Sequence, residues 1–535
     1  MHYDPQYYPY PSRRQVVYAA NGMVATSQAL AAQAGLAVLQ RGGNAIDAAV
    51  AAAACLTVVE PTSNGIGGDA FALVWTRGKL HGLNASGPAP GKISAAAVKK
   101  AGHSEMPAFG WIPVNVPGAP AAWAELSDRF GRLPLTETLG PAADYAERGY
   151  PVSPVVAGLW KSALVNFREK LRGEEYSPFF STFAPGGRAP EAGEIWRSPD
   201  HARTLRSIAE TRGQSFYRGE LADRIDSFAK KHGGFLSRED LESYRPEWVD
   251  PISICYRGNE VWEIPPNGQG LVALLALNIL KGFEFRSKDS PETLHRQIEA
   301  IKLAFADGKR YITDPQKMRV KVSDLLSEGY AAERRKLIGR EASLPEAGRP
   351  RESGTVYLAA ADREGNMISY IQSNYKGFGS GLVVPETGIS LQNRGCNFSL
   401  DPGDDNCLEP GKKCYHTIIP GFLTRDGRPV GPFGVMGGFM QPQGHVQVIM
   451  NTIDFQLNPQ AALDAPRWNW LKGKTVDLES SVPSHLAGAL ARMGHRINLA
   501  ADPSGFGRGQ IIWQTDGGVL AGGSDPRADG MAAAW

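Results

Sequence analysis

The sequence predicts a fold that mixes helices and β-strands, and three segments carry that prediction. Residues 27–40 have the composition of a helix, which a pair of glycines closes. Apolar residues spaced four, three and four apart over 294–305 form one face of an amphipathic helix. Residues 355–362 and 367–373 are two β-prone runs joined by turn-forming residues, so a β-hairpin is expected there.

Size, charge and cysteine content exclude several classes of protein. The chain has 535 residues, 42% of them hydrophobic, which is enough for a large core. The formal net charge is +2 and no dense Lys/Arg stripe occurs, so we expect no nucleic-acid partner. The five cysteines lack the CxxC pairing of a zinc site and are too sparse for a disulfide scaffold. They favour a reducing compartment, and we expect a cytoplasmic protein.

Two segments have some features of targeting or membrane segments. "SRRQVV" at 12–17 is followed by Asn21, Gly22 and polar residues, so we expect an N-terminal arm leading into a strand rather than a signal peptide. The most apolar run, 45–59, is shorter than the roughly 20 residues that a membrane-spanning helix needs, and it contains Asp47. We therefore expect a buried helix there and no membrane partner.

Cofactor and metal motifs fail when their context is considered. "GIGGDA" at 65–70 matches a dinucleotide fingerprint, but the "FALVW" that follows is typical of a strand rather than a helix. "GPAPGKIS" at 87–94 has three residues between its glycines and Ile93 in place of Ser or Thr, unlike a phosphate loop. The histidines show no metal-binding spacing, and His295 is expected at the surface. We expect no cofactor and no metal.

Thr355 opens the predicted hairpin. It directly follows a segment, about 335–354, that is charged, rich in Pro and Gly, and predicted to be a mobile surface linker. A Thr hydroxyl is a poor nucleophile unless a base takes its proton, and an N-terminal Thr carries that base in its own α-amine, with a pKa of about 7.7–8.0. Cleavage between Gly354 and Thr355 would create such an N-terminus. From these residues alone, a strand-opening Thr without a catalytic role is the simpler interpretation.

Sequence stretches along nearly the whole chain favour the catalytic interpretation of Thr355. In chain order they include "QALAAQAGLAVLQRGGNAIDAAVAAAACLTVVEP", "GIGGDAF", "VNVPGAPAAW", "PPNGQGLVALLALNIL", "EAIKLAFADGKRYITDP", "TVYLAAADREGNMISYIQSNYKGFGSG" and "GVMGGFMQPQGHVQVIMN". Together they resemble the γ-glutamyltransferase family of N-terminal-nucleophile hydrolases. The resemblance implies an α+β fold, a four-layer αββα sandwich. It also implies self-cleavage into a large chain, 1–354, and a small chain, 355–535, which form one intertwined unit.

The resemblance further implies roles for particular residues. Thr355 would be the nucleophile in both self-cleavage and catalysis, and Ser373 would be a hydroxyl residue that tunes its proton. Gly437 and Gly438 would supply the backbone N–H groups of the oxyanion hole. Adjacent glycines suit this role because they let the backbone approach a reacting carbonyl closely.

The substrate-binding positions depart from the family pattern. The family holds a glutamyl α-carboxylate with an Arg and the α-ammonium with an Asp. By the resemblance, this chain has Asn84 in place of that Arg and Asn397 in place of that Asp. Arg394 replaces a Gln and is expected at the end of the strand "GISLQN", where its guanidinium would bind a substrate carboxylate. The remaining changed positions are Tyr375, in place of a ligand-binding Asn, and His416-Thr417, in place of a Ser pair.

These features predict a self-processing amidohydrolase that cleaves the amide of a small, carboxylate-bearing acyl group, oxamate-like or glutaryl-like, through an acyl-enzyme. The altered pattern resembles the divergent family branch with oxamate amidohydrolase-like and cephalosporin acylase-like members. Two alternatives remain open: a γ-glutamyltransferase or glutathione hydrolase with a rebuilt glutamyl site, and a processed, nearly inactive binding protein. The expected partners are a small-molecule amide and the two chains of one precursor, and a homodimer or larger assembly stays open.

Overall fold

The computed structural model describes residues 7–12, 14–344 and 354–535. Its strands are β1 Val17–Ala19, β2 Gly22–Thr26, β3 Asp69–Thr76, β4 Lys79–Ala85, β5 Tyr150–Pro151, β6 Ile195–Trp196, β7 Glu247–Val249, β8 Ile252–Tyr256, β9 Asn259–Glu263, β10 Gly354–Asp362, β11 Met367–Tyr375, β12 Gly421–Arg425, β13 Arg428–Val435, β14 Trp468–Lys472, β15 Thr475–Glu479, β16 Arg496–Ala500, β17 Gly509–Gln514, β18 Leu520–Ser524 and β19 Met531–Ala534. Its α-helices are α1 Ala29–Gln40, α2 Ala45–Val59, α3 Ala95–Lys100, α4 Ala119–Phe130, α5 Leu135–Thr138, α6 Gly140–Arg148, α7 Pro154–Lys170, α8 Ser177–Phe183, α9 Pro199–Glu210, α10 Gln214–Tyr217, α11 Glu220–Lys231, α12 Arg238–Ser243, α13 Gly270–Leu280, α14 Pro291–Tyr311, α15 Val322–Leu325, α16 Glu328–Lys336, α17 Met440–Ile453, α18 Pro459–Asp464 and α19 Ser484–Arg492.

Two seven-stranded sheets form the centre of the molecule. One sheet has the strand order β1-β18-β17-β13-β12-β9-β8, and the other has the order β19-β2-β10-β11-β3-β4-β7. Apolar side chains of both sheets, among them Leu73, Phe422 and Ile512, form one buried cluster. Because strands alternate their side chains between two faces, this shared core indicates that the sheets pack face to face.

Helices cover the outer face of each sheet. A core that includes Val50 of α2 and Leu358 of β10 lies on the outer side of the second sheet. A separate core joins Leu274 of α13 and Ile301 of α14 to Phe433 of β13 in the first sheet. The layers therefore run helix, sheet, sheet, helix, which confirms the predicted αββα sandwich.

Helix α2 confirms the predicted buried helix, because all of its residues are buried. Its start is fixed by a capping box: the Asn44 side chain accepts from the N–H groups of Ile46 and Asp47, and the Asp47 carboxylate accepts from the N–H of Asn44. Asp47 is thus a capping residue with its hydrogen bonds made. Of the helices in the described ranges, none combines the length and the apolar character that a membrane span requires.

The β10–β11 hairpin is confirmed as an antiparallel pair. The segment before it is more ordered than predicted. Helix α16 continues through Lys336, Ala342 is buried and donates its N–H to the carbonyl of Met493, and Ser343 hydrogen-bonds to Glu299. The predicted start of the linker at about 335 is therefore corrected, since these contacts hold the chain as far as Ser343. The rest of the predicted linker that precedes Gly354, 345–353, lies outside the described residues.

Candidate active site

A β-bulge shapes the backbone around Thr355. In the β10–β11 ladder, Thr355 on one strand faces two residues, Ser373 and Asn374, on the other. A bulge of this kind bends the strand and re-aims side chains, and it is common beside active sites. Tyr375, at the end of the bulge, has a φ of 78°, a left-handed conformation that is uncommon for a residue other than Gly. Thr355 is completely buried.

Polar side chains, Ser373 and Gln441 among them, contact the hydroxyl of Thr355. Its Oγ1 lies 3.3 Å from Oγ of Ser373, and Nε2 of Gln441 donates to Oγ1 at 3.4 Å. Oγ of Ser373 also accepts the backbone N–H of Tyr375 at 2.7 Å. The fold therefore brings Thr355 and Ser373 together and adds Gln441, which the sequence interpretation did not include.

The glycine pair lies in the loop between β13 and α17. Gly437 has a φ of 122° and Gly438 a φ of 59°, a backbone conformation that favours glycine. A Cβ on Gly437 would lie 3.3 Å from Cα of Gly507, so space also favours glycine there. The Gly438 carbonyl accepts from Nε2 of Gln269 at 2.8 Å, which fixes the loop. The next helix carries Gln441, so the glycine loop leads directly to a residue in contact with Thr355.

Arg394 is 1% exposed, and three hydrogen bonds fix its guanidinium. Nε and Nη2 donate to the two carboxylate oxygens of Asp69 at 3.0 and 3.1 Å, and Nη1 donates to Oγ1 of Thr417 at 2.6 Å. The guanidinium carbon lies 4.5 Å from the centre of the Tyr375 ring. Arg394 thus has its carboxylate partner inside the protein, on one edge of the guanidinium.

The local structure before Arg394 differs from the prediction. The segment "GISLQN" forms isolated β-bridges instead of a strand, and Arg394 begins a 3-10 helix, Arg394–Asn397. Ser390 pairs with Val383 and Leu391 with Gly67, each through one isolated bridge, so neither pairing extends into a ladder. The predicted strand is therefore corrected to an irregular, buried segment.

Asp69 also accepts a hydrogen bond from His416. Nε2 of His416 donates to Asp69 Oδ2 at 2.7 Å, while Nδ1 accepts the backbone N–H of Ile418 at 3.3 Å. Burial lowers the pKa of His416 to about 4, so the ring is neutral at neutral pH. Burial alone would raise the pKa of Asp69, but the charge of Arg394 and the bond from His416 outweigh it and hold the pKa at about 2. The site therefore contains an ionised Asp–Arg pair and a neutral histidine.

The other predicted substrate-binding positions belong to the same polar network. The Tyr375 hydroxyl donates to Oδ1 of Asn397 at 2.6 Å. Asn84 Nδ2 donates to Oδ1 of Asn267 at 3.0 Å, and the Asn267 carbonyl accepts the backbone N–H of His416 at 2.9 Å. Side chains from distant parts of the chain thus converge around Arg394 and Thr355.

Two residues of this network were missing from the sequence interpretation. Asp69 is part of "GIGGDA", and an acidic residue directly before the apolar run "AFALVW" was the available signal. Gln441 follows "MGGFM", and nothing in its local sequence distinguishes it from a surface glutamine. Its contact with Thr355 depends on where the tertiary fold places the start of helix α17.

A cleft of about 600 Å³ opens beside the glycine loop. This volume is within the usual range of small-molecule sites. The cleft is lined by Thr62, Lys376, Gly437, Phe439, Asp477 and Arg508, among others. Since Gly437 forms part of its wall, the cleft is the open space next to the candidate oxyanion hole.

A second polar cluster has the residue types of a metal site. His295, Glu299 and His495 come within 4.8 Å of one another, and His295 is 2% exposed, so the prediction of a surface position was wrong. Nζ of Lys302 lies 2.6 Å from Oε1 of Glu299 and forms a salt bridge with this carboxylate. The other carboxylate oxygen accepts the N–H of Ser343 at 3.0 Å. The Lys302 ammonium thus occupies the position that a metal ion would take beside Glu299. Through Ser343, the cluster also holds the segment that precedes the β10–β11 hairpin.

Comparison with known proteins identifies relatives of this chain. The family model described as gamma-glutamyltranspeptidase matches residues 31–535. The chain is 37% identical to the glutathione hydrolase-like YwrD proenzyme of Bacillus subtilis (strain 168) over 523 residues, covering 95% of this chain and 98% of that protein. It is 35% identical to the oxamate amidohydrolase proenzyme of Klebsiella pneumoniae over 531 residues, covering 96% and 98%. The crystal structure of cephalosporin acylase from Bacillus halodurans has 65% sequence identity and a TM-score of 0.96, covering 100% of this chain and 99% of that one.

Proposed function

This chain belongs to the gamma-glutamyltranspeptidase family and is an N-terminal-nucleophile amide hydrolase or acyltransferase, and from that premise we propose that Thr355 is the nucleophile. The observation that carries the proposal is the environment of Thr355. Its hydroxyl is buried on a β-bulge and contacts Ser373 and Gln441. Thr355 also directly follows Gly354, so the peptide bond to be cleaved is its own. A hydroxyl held by neighbouring polar groups is preorganised for attack.

The first reaction is self-cleavage. Oγ1 of Thr355 attacks the carbonyl carbon of Gly354, a C–O bond forms, and the peptide C–N bond breaks as the nitrogen takes up the hydroxyl proton. Water then hydrolyses this ester and releases the Gly354 carboxylate. The product is a small chain, 355–535, whose α-amine and hydroxyl belong to the same residue, Thr355.

Turnover repeats the same chemistry on a substrate amide. The α-amine of Thr355 accepts the hydroxyl proton, Oγ1 attacks the substrate carbonyl, and the N–H groups of Gly437 and Gly438 stabilise the oxyanion. The leaving amine takes the proton and departs, and water hydrolyses the acyl-enzyme. The cleft beside Gly437 offers room for the leaving amine.

We assign the acyl group a carboxylate, bound by Arg394. A guanidinium has five N–H groups, and the three bonds to Asp69 and Thr417 leave one on Nη1 and one on Nη2 for a substrate. Two parallel N–H groups suit a carboxylate. Asp69 would then orient the guanidinium. Glutaryl amides and oxamate, whose acyl group is oxalyl, carry the carboxylate that this arrangement requires.

One observation favours a second candidate, a γ-glutamyl hydrolase or transferase with a rebuilt site. Asp69 and Arg394 lie side by side and are complementary to an α-ammonium and an α-carboxylate. A glutaryl anilide differs from a γ-glutamyl anilide only in lacking the α-ammonium, so the two substrates separate the candidates. The first candidate requires faster turnover of the glutaryl compound, and the second requires faster turnover of the γ-glutamyl compound.

The central test is self-cleavage of purified protein. We expect two chains, the smaller beginning at Thr355, and hydrolysis of acyl anilides only after cleavage. Thr355→Ala should stay one chain without activity, whereas Thr355→Ser keeps a hydroxyl and should still be cleaved. Complete cleavage of Thr355→Ala in the absence of added protease would exclude Thr355 as the nucleophile. Full cleavage with no turnover of any acyl amide would instead favour the binding protein.

A further inference from the structure

Gln441 is held so that its amide nitrogen faces the nucleophile. Its side chain is completely buried in the first turn of α17. Oε1 accepts the backbone N–H of Ile419 at 2.9 Å, and Nε2 lies 3.4 Å from Oγ1 of Thr355. Because a backbone N–H can only donate, it must meet the oxygen of the amide. The nitrogen therefore points to Thr355 and acts there as a donor.

This orientation restricts the proton of Thr355. A hydroxyl has one donor and two acceptor positions. When Oγ1 accepts from Gln441, its own hydrogen must point to a different neighbour, and Ser373 Oγ is 3.3 Å away. Ser373 Oγ itself accepts the backbone N–H of Tyr375 at 2.7 Å. The donor from Gln441 thus makes Oγ1 an acceptor on the side of α17 and turns its hydrogen away from that side.

We propose that Gln441 is a catalytic residue in both self-cleavage and turnover. Its Nε2–H donates to Oγ1 of Thr355, stabilises the negative charge that grows on this oxygen as the proton leaves, and keeps that proton off the side of α17. In turnover the proton ends on the α-amine of Thr355; in self-cleavage it ends on the same nitrogen as the peptide bond breaks. This role differs from that of Gly437 and Gly438, which act on the oxygen of the attacked carbonyl. The proposal rests on Thr355 being the nucleophile.

Two substitutions separate the donor role from a structural role. Gln441→Glu keeps an oxygen for the N–H of Ile419 but removes the N–H that faces Thr355. Gln441→Met has a similar volume and loses both hydrogen bonds. If the donor matters, both variants should cleave themselves and turn over about 10- to 100-fold more slowly, with KM changed by less than about threefold. If only the Ile419 contact matters, Gln441→Glu should match the wild type and Gln441→Met alone should be slow.

The rates to measure are those of self-cleavage of the purified precursor and kcat and KM of the mature enzyme on an acyl anilide. Thermal unfolding of each variant in the Thr355→Ala background reports folding separately, and Gln441→Asn replaces any variant that does not fold. Self-cleavage and kcat within about twofold of wild type in Gln441→Glu would overturn the proposal. That result would leave the nucleophile assignment intact, because only cleavage of Thr355→Ala overturns that assignment.

Discussion

Gly354 lies directly opposite Tyr375 in the β10–β11 ladder, and Tyr375 occupies the left-handed region of the backbone with a φ of 78°. A left-handed residue other than Gly costs on the order of 1–3 kcal/mol and persists only where its surroundings hold it. Here the Tyr375 hydroxyl donates to Asn397, and the ring lies under the guanidinium of Arg394. The proposed scissile position is therefore coupled to the proposed acyl site through one residue.

We predict that Arg394 decides the preference for acidic acyl groups. Arg394→Lys should raise KM for glutaryl anilide, and Arg394→Ala should raise it further, by about 10- to 100-fold, because a charge-assisted bond worth about 1.5–3 kcal/mol is lost. Butyryl anilide, which has no carboxylate, should be little affected. Steady-state kinetics on the two anilides measure the effect.

Removing Arg394 leaves Asp69 buried without its cation, so a matched control is needed. The double variant Arg394→Met/Asp69→Asn removes both charges and should show the same loss of preference with better folding. An unchanged ratio of glutaryl to butyryl turnover in both variants would rule out Arg394 as the carboxylate anchor. Asp69→Asn alone adds a test of the second candidate, which requires it to lose γ-glutamyl more than glutaryl turnover.

We predict that an amine controls the acidic limb of the pH–rate profile. The base must be neutral to accept the hydroxyl proton, so kcat/KM should fall as pH drops through the pKa of the α-amine, about 7.7–8.0 before any lowering by burial. Asp69 cannot cause such a limb, because its pKa is held at about 2. The profile should be measured on fully cleaved enzyme. A limb near about 4 that disappears in a single Asp or Glu variant would show that a carboxylate is the base.

We predict that Gly437→Ala impairs catalysis. The substitution places a side chain at a φ of 122° and a Cβ 3.3 Å from Gly507, so the loop must shift and its N–H groups lose their alignment. Loss of one oxyanion donor costs about 10²- to 10³-fold in kcat. Gly427→Ala is the control, since Gly427 also has a positive φ, of 70°, but its Cβ would meet open space. Equal kcat in the two variants would argue against an oxyanion role.

We predict that His201 makes the fold less stable in acid. Burial lowers its pKa to about 4, whereas an unfolded histidine titrates near 6.5. Between about pH 6.5 and 4 the unfolded chain binds a proton that the folded chain does not, so the free energy of unfolding falls as pH falls, by about 3 kcal/mol in total. Urea unfolding of Thr355→Ala, with and without His201→Leu, tests this. His201→Leu should remove about that much of the decline between the two pH values; an unchanged decline would contradict the assignment.

The sequence by itself determined the elements whose signals are local. The apolar run of 45–59 has no polar face to expose, so it became a buried helix, and the alternating runs on both sides of 363–366 became the β10–β11 hairpin. The chemistry open to Thr355 also followed from its position after Gly354. These properties depend on neighbouring residues, whose spacing is visible in the printed sequence.

Only the tertiary structure decided which distant side chains meet. Asp69 and Arg394 are 325 positions apart and meet where Leu391 forms a β-bridge with Gly67. Gln441, at the start of α17, contacts Thr355 across 86 positions. His295 follows the spacing of a surface residue but is buried by the chain around His495. Periodicity shows which face of an element is apolar, but packing chooses the partner of each polar group, because a buried charge or hydrogen-bonding atom must be matched wherever its partner lies in the chain.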